Sequence, residues 1–275
     1  MLSILNNISS LEAENSLNST QQNLSATLQA LSTGQRINSG ADDPAGLAIA
    51  DGLEANITAL TQSVQNASDG VGMLQVADGA LSQISTLLNQ AVTVATESAS
   101  GTVSNSQRTA LDNEFQSIKD EINTIGQSTT YNGQAIFGAS TLTIFMSDSS
   151  SAGTTSVTVA MVTVDAGNLN GASLTADALT TAAAAQQALT DINSAIADVA
   201  ALRGNLGATQ NQLQAATNVM SSQITNVQAA ESNIMDADIG TETANLSKYT
   251  ILQQTGIAAL QQSNAMQQSV LKLLQ

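Results

Sequence analysis

Residues 53–88 read LEANITALTQSVQNASDGVGMLQVADGALSQISTLL. Within them Leu53, Ile57, Leu60, Val64, Ala67, Val71, Leu74, Asp78, Leu81, Ser85 and Leu88 recur at alternating steps of four and three. That is the spacing of a heptad seam along one face of a helix, with one acidic and one hydroxyl interruption. At the α-helical rise, the stretch predicts a helix ~54 Å long. Downstream, Leu111, Phe115, Ile118, Ile122 and Ile125 repeat the pattern. A third run takes in Leu189, Ile192, Ile196, Val199, Leu206, Leu213, Met220, Ile224, Val227 and Ile234, with Arg203, Gln210, Thr217 and Glu231 as its polar members. Three long helices with matching stripes predict an antiparallel bundle. Its seam is assigned to Leu53, Leu60, Val64, Val71, Leu74, Ile196, Val199, Arg203, Leu206 and Leu213.

Both ends carry diluted versions of the same stripe. Met1, Ile4, Ile8 and Leu11 keep a three-four spacing, followed by Leu17, Leu24, Leu28 and Leu31. Leu246, Tyr249, Leu260, Val270 and Leu274 share one heptad frame, filled out by Gln253, Gly256, Ser263 and Gln267. Isolated helices with so little apolar surface are marginal in water, so each end needs a partner. Residues 1–40 carry net charge −1 and residues 235–275 also −1, which leaves −14 of the total −16 on residues 41–234. Nearly neutral, amphipathic ends suit association, whereas an acidic middle suits a solvated surface.

Between the helical blocks, from about residue 131 to 172, the texture turns rich in Gly, Ser and Thr. Tyr131-Asn132-Gly133 is a turn signal. Thr141–Met146 and Ser156–Val164 alternate β-branched and other residues around Ser149–Gly153, which predicts a β-hairpin. The fold class is therefore mainly α, a long helical bundle or coiled coil with a small β-hairpin insertion and paired terminal helices.

The inventory of side chains narrows the function. The 275 residues hold no Cys, no His, no Trp and one Pro, and aromatics make up 2%. A Ser–His–Asp triad, an imidazole or thiolate metal site and a disulfide are all excluded. No catalytic, cofactor or metal site is assigned, and the chain is read as a non-enzyme. Six basic residues against 22 acidic ones argue against nucleic acid as a partner. No apolar run approaches the ~18 residues of a membrane span. The opening Met1-Leu2-Ser3-Ile4-Leu5-Asn6 shows neither a basic nor an apolar leader region, so a cleaved secretion signal is not expected.

Leu31-Ser32-Thr33-Gly34-Gln35-Arg36-Ile37-Asn38-Ser39-Gly40-Ala41-Asp42-Asp43-Pro44-Ala45-Gly46-Leu47-Ala48-Ile49-Ala50 resembles the N-terminal signature of bacterial flagellin. The likeness continues through Asn66–Gly70, Glu97–Ala99 and Tyr131–Gly133. It resumes at Leu202-Arg203-Gly204-Asn205-Leu206-Gly207-Ala208 and Asn226–Asp238. The resemblance implies a short flagellin without large outer domains, a secreted structural subunit that polymerises into the flagellar filament for motility. It implies export through the flagellar type III apparatus, with a secretion chaperone, a filament cap and hook-junction proteins as further partners. Residues 1–40 with 235–275 would form the terminal coiled coil of the filament core, through Ile4, Ile8, Leu11, Leu17, Leu24, Leu28, Leu31, Leu246, Tyr249, Leu260, Val270 and Leu274. Residues 41–234 would form the helical bundle with its hairpin at about 131–172. The resemblance also places the family's innate-receptor surface at Gln90, Val94 and Glu114. A family arginine aligns with Gln90, so recognition there is expected to be weak. A flagellin-related junction protein and a cytoplasmic helical signalling rod are the alternatives; the rod would lack the Arg36–Ala50 signature.

Other polar residues take plainer readings. Asp42-Asp43-Pro44 near Asp51 and Glu54 lacks the spaced ligands of a calcium loop and reads as a helix start, with Asp43 as N-cap and Pro44 at the first position. Arg36 reads as solvated surface, and Arg203, inside a seam, as paired or interfacial. Asp78 either sets register in the seam or lies at its edge facing water. Glu97, Asp112, Glu114, Asp120 and Glu121 read as a solvated face.

Overall fold

The computed structural model describes residues 7–138, 141–147 and 155–273, with the side chains of 155 and 270–273 left out. Ile4, Leu274 and the hairpin turn at Ser149–Gly153 lie outside the described residues, as does the side chain of Val270. In chain order the helices are α1 (Ile8–Thr33), α2 (Pro44–Ala99), α3 (Asn105–Ser128), α4 (Ala182–Met235) and α5 (Ile239–Leu273). Three two-stranded antiparallel ribbons fall between α3 and α4: β1 (Thr130–Tyr131) with β2 (Gln134–Ala135), β3 (Thr141–Met146) with β4 (Thr155–Ala160), and β5 (Val164–Asp165) with β6 (Asn168–Leu169). The chain divides into two compact units, one of residues 1–55 with 226–275 and one of residues 56–225.

Local chemistry sets the helix starts. The Asp43 carboxylate accepts from the Gly46 amide at 2.9 Å, and α2 begins at Pro44. Proline is favoured there because its φ is preset and its missing donor is not needed. Ser104 and Gln107 form a reciprocal capping box at the start of α3. Asn132 and Gly133 both have positive φ, +50° and +76°, the pair of conformations that a two-residue hairpin turn requires.

In the central unit α3 and α4 both run antiparallel to α2. The large, fully buried side chains include Phe115, Leu74, Leu81, Ile84, Leu88, Ile122 and Ile192. On α2 the buried stripe is Leu60, Ser63, Ala67, Gly70, Leu74, Ala77, Leu81, Ile84 and Leu88. Every second member of the expected seam is therefore displaced by one residue. Leu60, Ala67, Leu74, Leu81 and Leu88 hold their places, but Val64, Val71, Asp78 and Ser85 lie half-buried on the flank. On α4 the same happens: Ala188 and Ala195 are buried where Leu189 and Ile196 were expected, beside Ile192, Val199, Leu206 and Leu213. The reason is steric. A close-packed interior leaves no room for a larger side chain at these positions, and a β-carbon added at Gly70 would collide with the Ile144 side chain.

The β3–β4 ribbon has alternating faces. Ile144, Met146, Val157 and Val159 are buried, while Thr143, Phe145, Ser156 and Thr158 are exposed. Its register pairs Leu142 with Val159 and Ile144 with Val157. Ser63 on α2 donates to the Ser147 carbonyl and accepts from its amide, both at 2.9 Å, and Asn66 donates to the Phe145 carbonyl. β4 stops at Ala160, four residues before the predicted strand end. Its partner begins opposite, at Thr141, and Val164 instead opens the β5–β6 ribbon.

Candidate functional site

The unit built from the two chain ends holds an antiparallel pair, α1 on α5. Its seam on α1 is Ala13, Leu17, Thr20, Leu24, Thr27 and Leu31; Leu24 and Thr27 are buried and the rest half-buried. Opposite lie Leu246, Tyr249, Gln253, Gly256, Leu260, Ser263 and Gln267, all half-buried. Much of the contact is polar. The Asn7 amide donates to the Gln267 carbonyl oxygen at 3.1 Å, the Ser10 hydroxyl to Asn264 at 2.8 Å and the Gln253 amide to Gln21 at 2.6 Å. Neutral side-chain hydrogen bonds of this kind contribute only about 0.5–1.5 kcal/mol each. They set register more than they bind.

Large apolar side chains in this unit point elsewhere. Ile8, Leu11 and Leu28 are 62%, 61% and 48% exposed, and Ile251, Leu252, Ile257 and Met266 are exposed on α5. The predicted N-terminal stripe thus splits into two sets. Leu17, Leu24 and Leu31 belong to the α1–α5 seam. Ile8, Leu11 and Leu28 face solvent.

Short hydrogen bonds tie the link after α1 to the end of α4. The Arg36 amide donates to the Met235 carbonyl at 2.6 Å and its guanidinium to the Ile234 carbonyl at 2.7 Å. Arg36 is therefore not mere solvated surface; it caps two carbonyls at the C-terminus of a long helix, where a cation is favoured. Asp42 accepts from the Asn38 and Ser39 amides and the Ser39 hydroxyl. These bonds, the Asn38 amide first, hold its carboxyl below the ordinary range. Asp238 is held low in the same way, first by the Thr241 hydroxyl and then by the Thr241 and Gly240 amides. Both aspartates are thus occupied in organising turns.

Of the expected polar seam residues in the central unit, Arg203 donates to Asp78 from Nε at 2.7 Å and from Nη2 at 3.3 Å. Their side chains are 39% and 38% exposed, so the pair sits at the seam's edge, and the carboxylate raises the guanidinium pKa. On the α2–α3 face the Gln90 amide donates to the Glu114 carboxylate at 3.2 Å, and Val94 is buried in the core. Asp112 is not simply solvated: it accepts from the Leu179 amide at 2.7 Å.

Sequence reading missed two buried cations. Arg108 donates to the carbonyls of Ser98 at 2.9 Å and Ser100 at 2.7 Å, closing the end of α2. Lys119, 6% exposed, reaches the carbonyls of Leu174 and Asp177 and lies over the Phe115 ring. Their heptad positions, 108–115–122 and 115–119–122, were the available signal. Among the described residues no helix is long and apolar enough to cross a membrane.

The bacterial flagellin N-terminal helical region matches residues 4–141, and the bacterial flagellin C-terminal helical region matches residues 189–274. A flagellin from Halalkalibacterium halodurans is 33% identical over 247 residues, covering 90% of each chain. A flagellin from Listeria monocytogenes is 30% identical over 288 residues, covering 98% of each. The crystal structure of Bacillus cereus flagellin superposes with a TM-score of 0.50 at 29% identity, covering 61% of this chain and 94% of that one.

Proposed function

The chain belongs to the bacterial flagellin family and is a structural subunit that self-assembles into the flagellar filament; on that premise we propose that its two terminal helices supply the self-association. One observation carries this reading: the helices pair through a largely half-buried seam stitched by polar bonds, while a second set of large side chains, Ile8, Leu11, Leu28, Ile251, Leu252, Ile257 and Met266, remains in water. Burying one such side chain stabilises by about 1.5–3 kcal/mol, and only further copies of the molecule offer a matching surface at every step of a polymer. In this reading residues 1–40 with 235–275 line the filament core, and residues 41–234 form the surrounding bundle. A junction protein is not favoured, because the flagellin matches run through both halves of the chain.

Export through the flagellar apparatus without a cleaved leader, with a chaperone before assembly and the filament cap and hook-junction proteins after it, completes the reading on the strength of family membership. The innate-receptor surface is read as weakened, because Gln90 offers a neutral amide already bonded to Glu114 in place of a charged multi-donor group.

Removing residues 240–275 tests the assembly reading. With sheared filament seeds, the full chain forms filaments by negative-stain microscopy and the truncated chain forms none, while circular dichroism still reports a helical central unit. Normal filaments from the truncated chain would sink the proposal.

A further inference from the structure

From β5 to the start of α4, residues 164–181 cross the central unit as a strap whose regular structure is limited to the short β5–β6 ribbon. Side chains from the helices hold its backbone. Asn123 accepts from the Ala166 amide at 2.8 Å, Asp198 from Ala172 at 3.1 Å and Asp112 from Leu179 at 2.7 Å. Ser98 donates to the Leu179 carbonyl at 2.7 Å. Lys119 donates to the Leu174 and Asp177 carbonyls at 3.1 and 2.9 Å. Each carboxylate here has a donor and each donor an acceptor, with one exception. Among the described residues, Asp177 Oδ2 is a buried carboxylate oxygen with no hydrogen-bond partner.

Asp177 faces two charged groups. One is Lys119 on α3, which directs its protons to backbone carbonyls and itself lies near Asp112 and Asp120. The other is Asp191 on α4, within hydrogen-bonding reach of Asp177. Asp191 already accepts from the Gln187 amide through both oxygens, at 3.3 and 3.1 Å. Two carboxylates placed this closely cannot both ionise without cost. The one without a donor is where a proton lodges.

We propose that Asp177 and Asp191 share a proton that clasps the 164–181 strap to α4 in acid, and that the clasp opens as that proton is lost with rising pH. Burial first, and then the Asp191 charge and hydrogen bond, push the Asp177 carboxyl above its ordinary range, against the smaller pull of Lys119. The sign follows from the direction. A carboxyl raised in the folded state binds its proton more tightly there than in the unfolded chain, so the stabilisation is complete below the unfolded value and is lost as pH rises through the folded one.

Asp177→Asn replaces the shared proton with a permanent amide donor. In the full-length chain it is expected to raise the melting midpoint by about 2–4 °C at alkaline pH, with the difference from the parent protein vanishing in acid. Comparing the two proteins at each pH removes the general effect of the acidic surface. Exchange of the Leu179 amide at alkaline pH is expected to be slower in the variant. A carboxyl-carbon NMR titration provides the direct readout, with Asp177 titrating above the ordinary carboxylate range. An Asp177→Asn variant that melts at or below the parent at alkaline pH, or an Asp177 resonance titrating within the ordinary carboxylate range, overturns the proposal.

Discussion

In the central unit the helices bury Phe115, Leu74, Ile84, Leu88, Ile122 and Ile192 almost completely, and even its two buried cations are matched to carbonyls. In the unit made from the chain ends, α1 buries only Leu24, Thr27 and Ala30, and the α1–α5 contact is stitched by amides and hydroxyls. Both regions use heptad helices. What separates them is how fully their large side chains are buried: a continuous closed core in one, and in the other a half-buried seam beside a row of exposed Ile, Leu and Met. A domain that folds for itself fills its own core, whereas a region built to associate leaves part of that burial to its neighbours. Their acid–base behaviour differs too. Asp42 and Asp238, held low, favour the folded turns above the ordinary carboxylate range and lose that contribution in acid, while the raised Asp177 loses its contribution as pH climbs.

The contrast can be broken most severely from the inside. Phe115→Ala empties the central core and is expected to destabilise that unit by about 3–5 kcal/mol, read as a lower denaturation midpoint; a loss under 1 kcal/mol would mean this core is not the closed one described. Next is Leu252→Gln on the outward face of α5. It should leave subunit melting within about 0.5 kcal/mol yet raise the critical concentration for polymerisation roughly tenfold or more, the equivalent of about 1.4 kcal/mol or more of lost burial. Light scattering of seeded growth measures this, and unchanged assembly would show that the exposed residue is not part of a subunit contact. The smallest effect belongs to the rim of the central unit. A double-mutant cycle on Arg203→Ala and Asp78→Ala should return a coupling of about 0.2–1 kcal/mol, because both partners are well exposed and screened. A coupling of several kcal/mol would place the pair in the core instead.

Much of this architecture was legible in the chain because heptad spacing is a local signal. The runs from Leu53, Leu111 and Leu189 located α2, α3 and α4, and Asp43-Pro44 located the start of α2. The frame shared by Leu246, Tyr249, Gln253, Gly256, Leu260, Ser263 and Gln267 is the seam face of α5. Reading failed where large side chains were trusted over small ones. Val64, Val71 and Ile196 drew the seam toward themselves; they pack half-buried against the core, while the fully buried positions beside them are Gly70, Ala77, Ala188 and Ala195. Gly126 on α3 makes the same point, since a β-carbon there would meet the Val164 carbonyl. For the N-terminal stripe, three-four spacing alone did not separate Ile8, Leu11 and Leu28 from Leu17, Leu24 and Leu31. Two frames overlap on one helix, and only the position of α5 tells them apart.

Composition and periodicity alone settled that the chain is a set of long helices with a β insertion, acidic in the middle and nearly neutral at both ends, and its motifs carried the family likeness. Those properties depend on residues a few positions apart, which a linear reading can see. Which residue of each turn meets a neighbour, and how Lys119, Asp112, Asp191 and Asp177 from three separate segments converge on one strap, was decided by tertiary packing. Such contacts join groups as many as 81 residues apart on the strap and 125 apart across the seam, and their energies exist only once the backbones have been brought together.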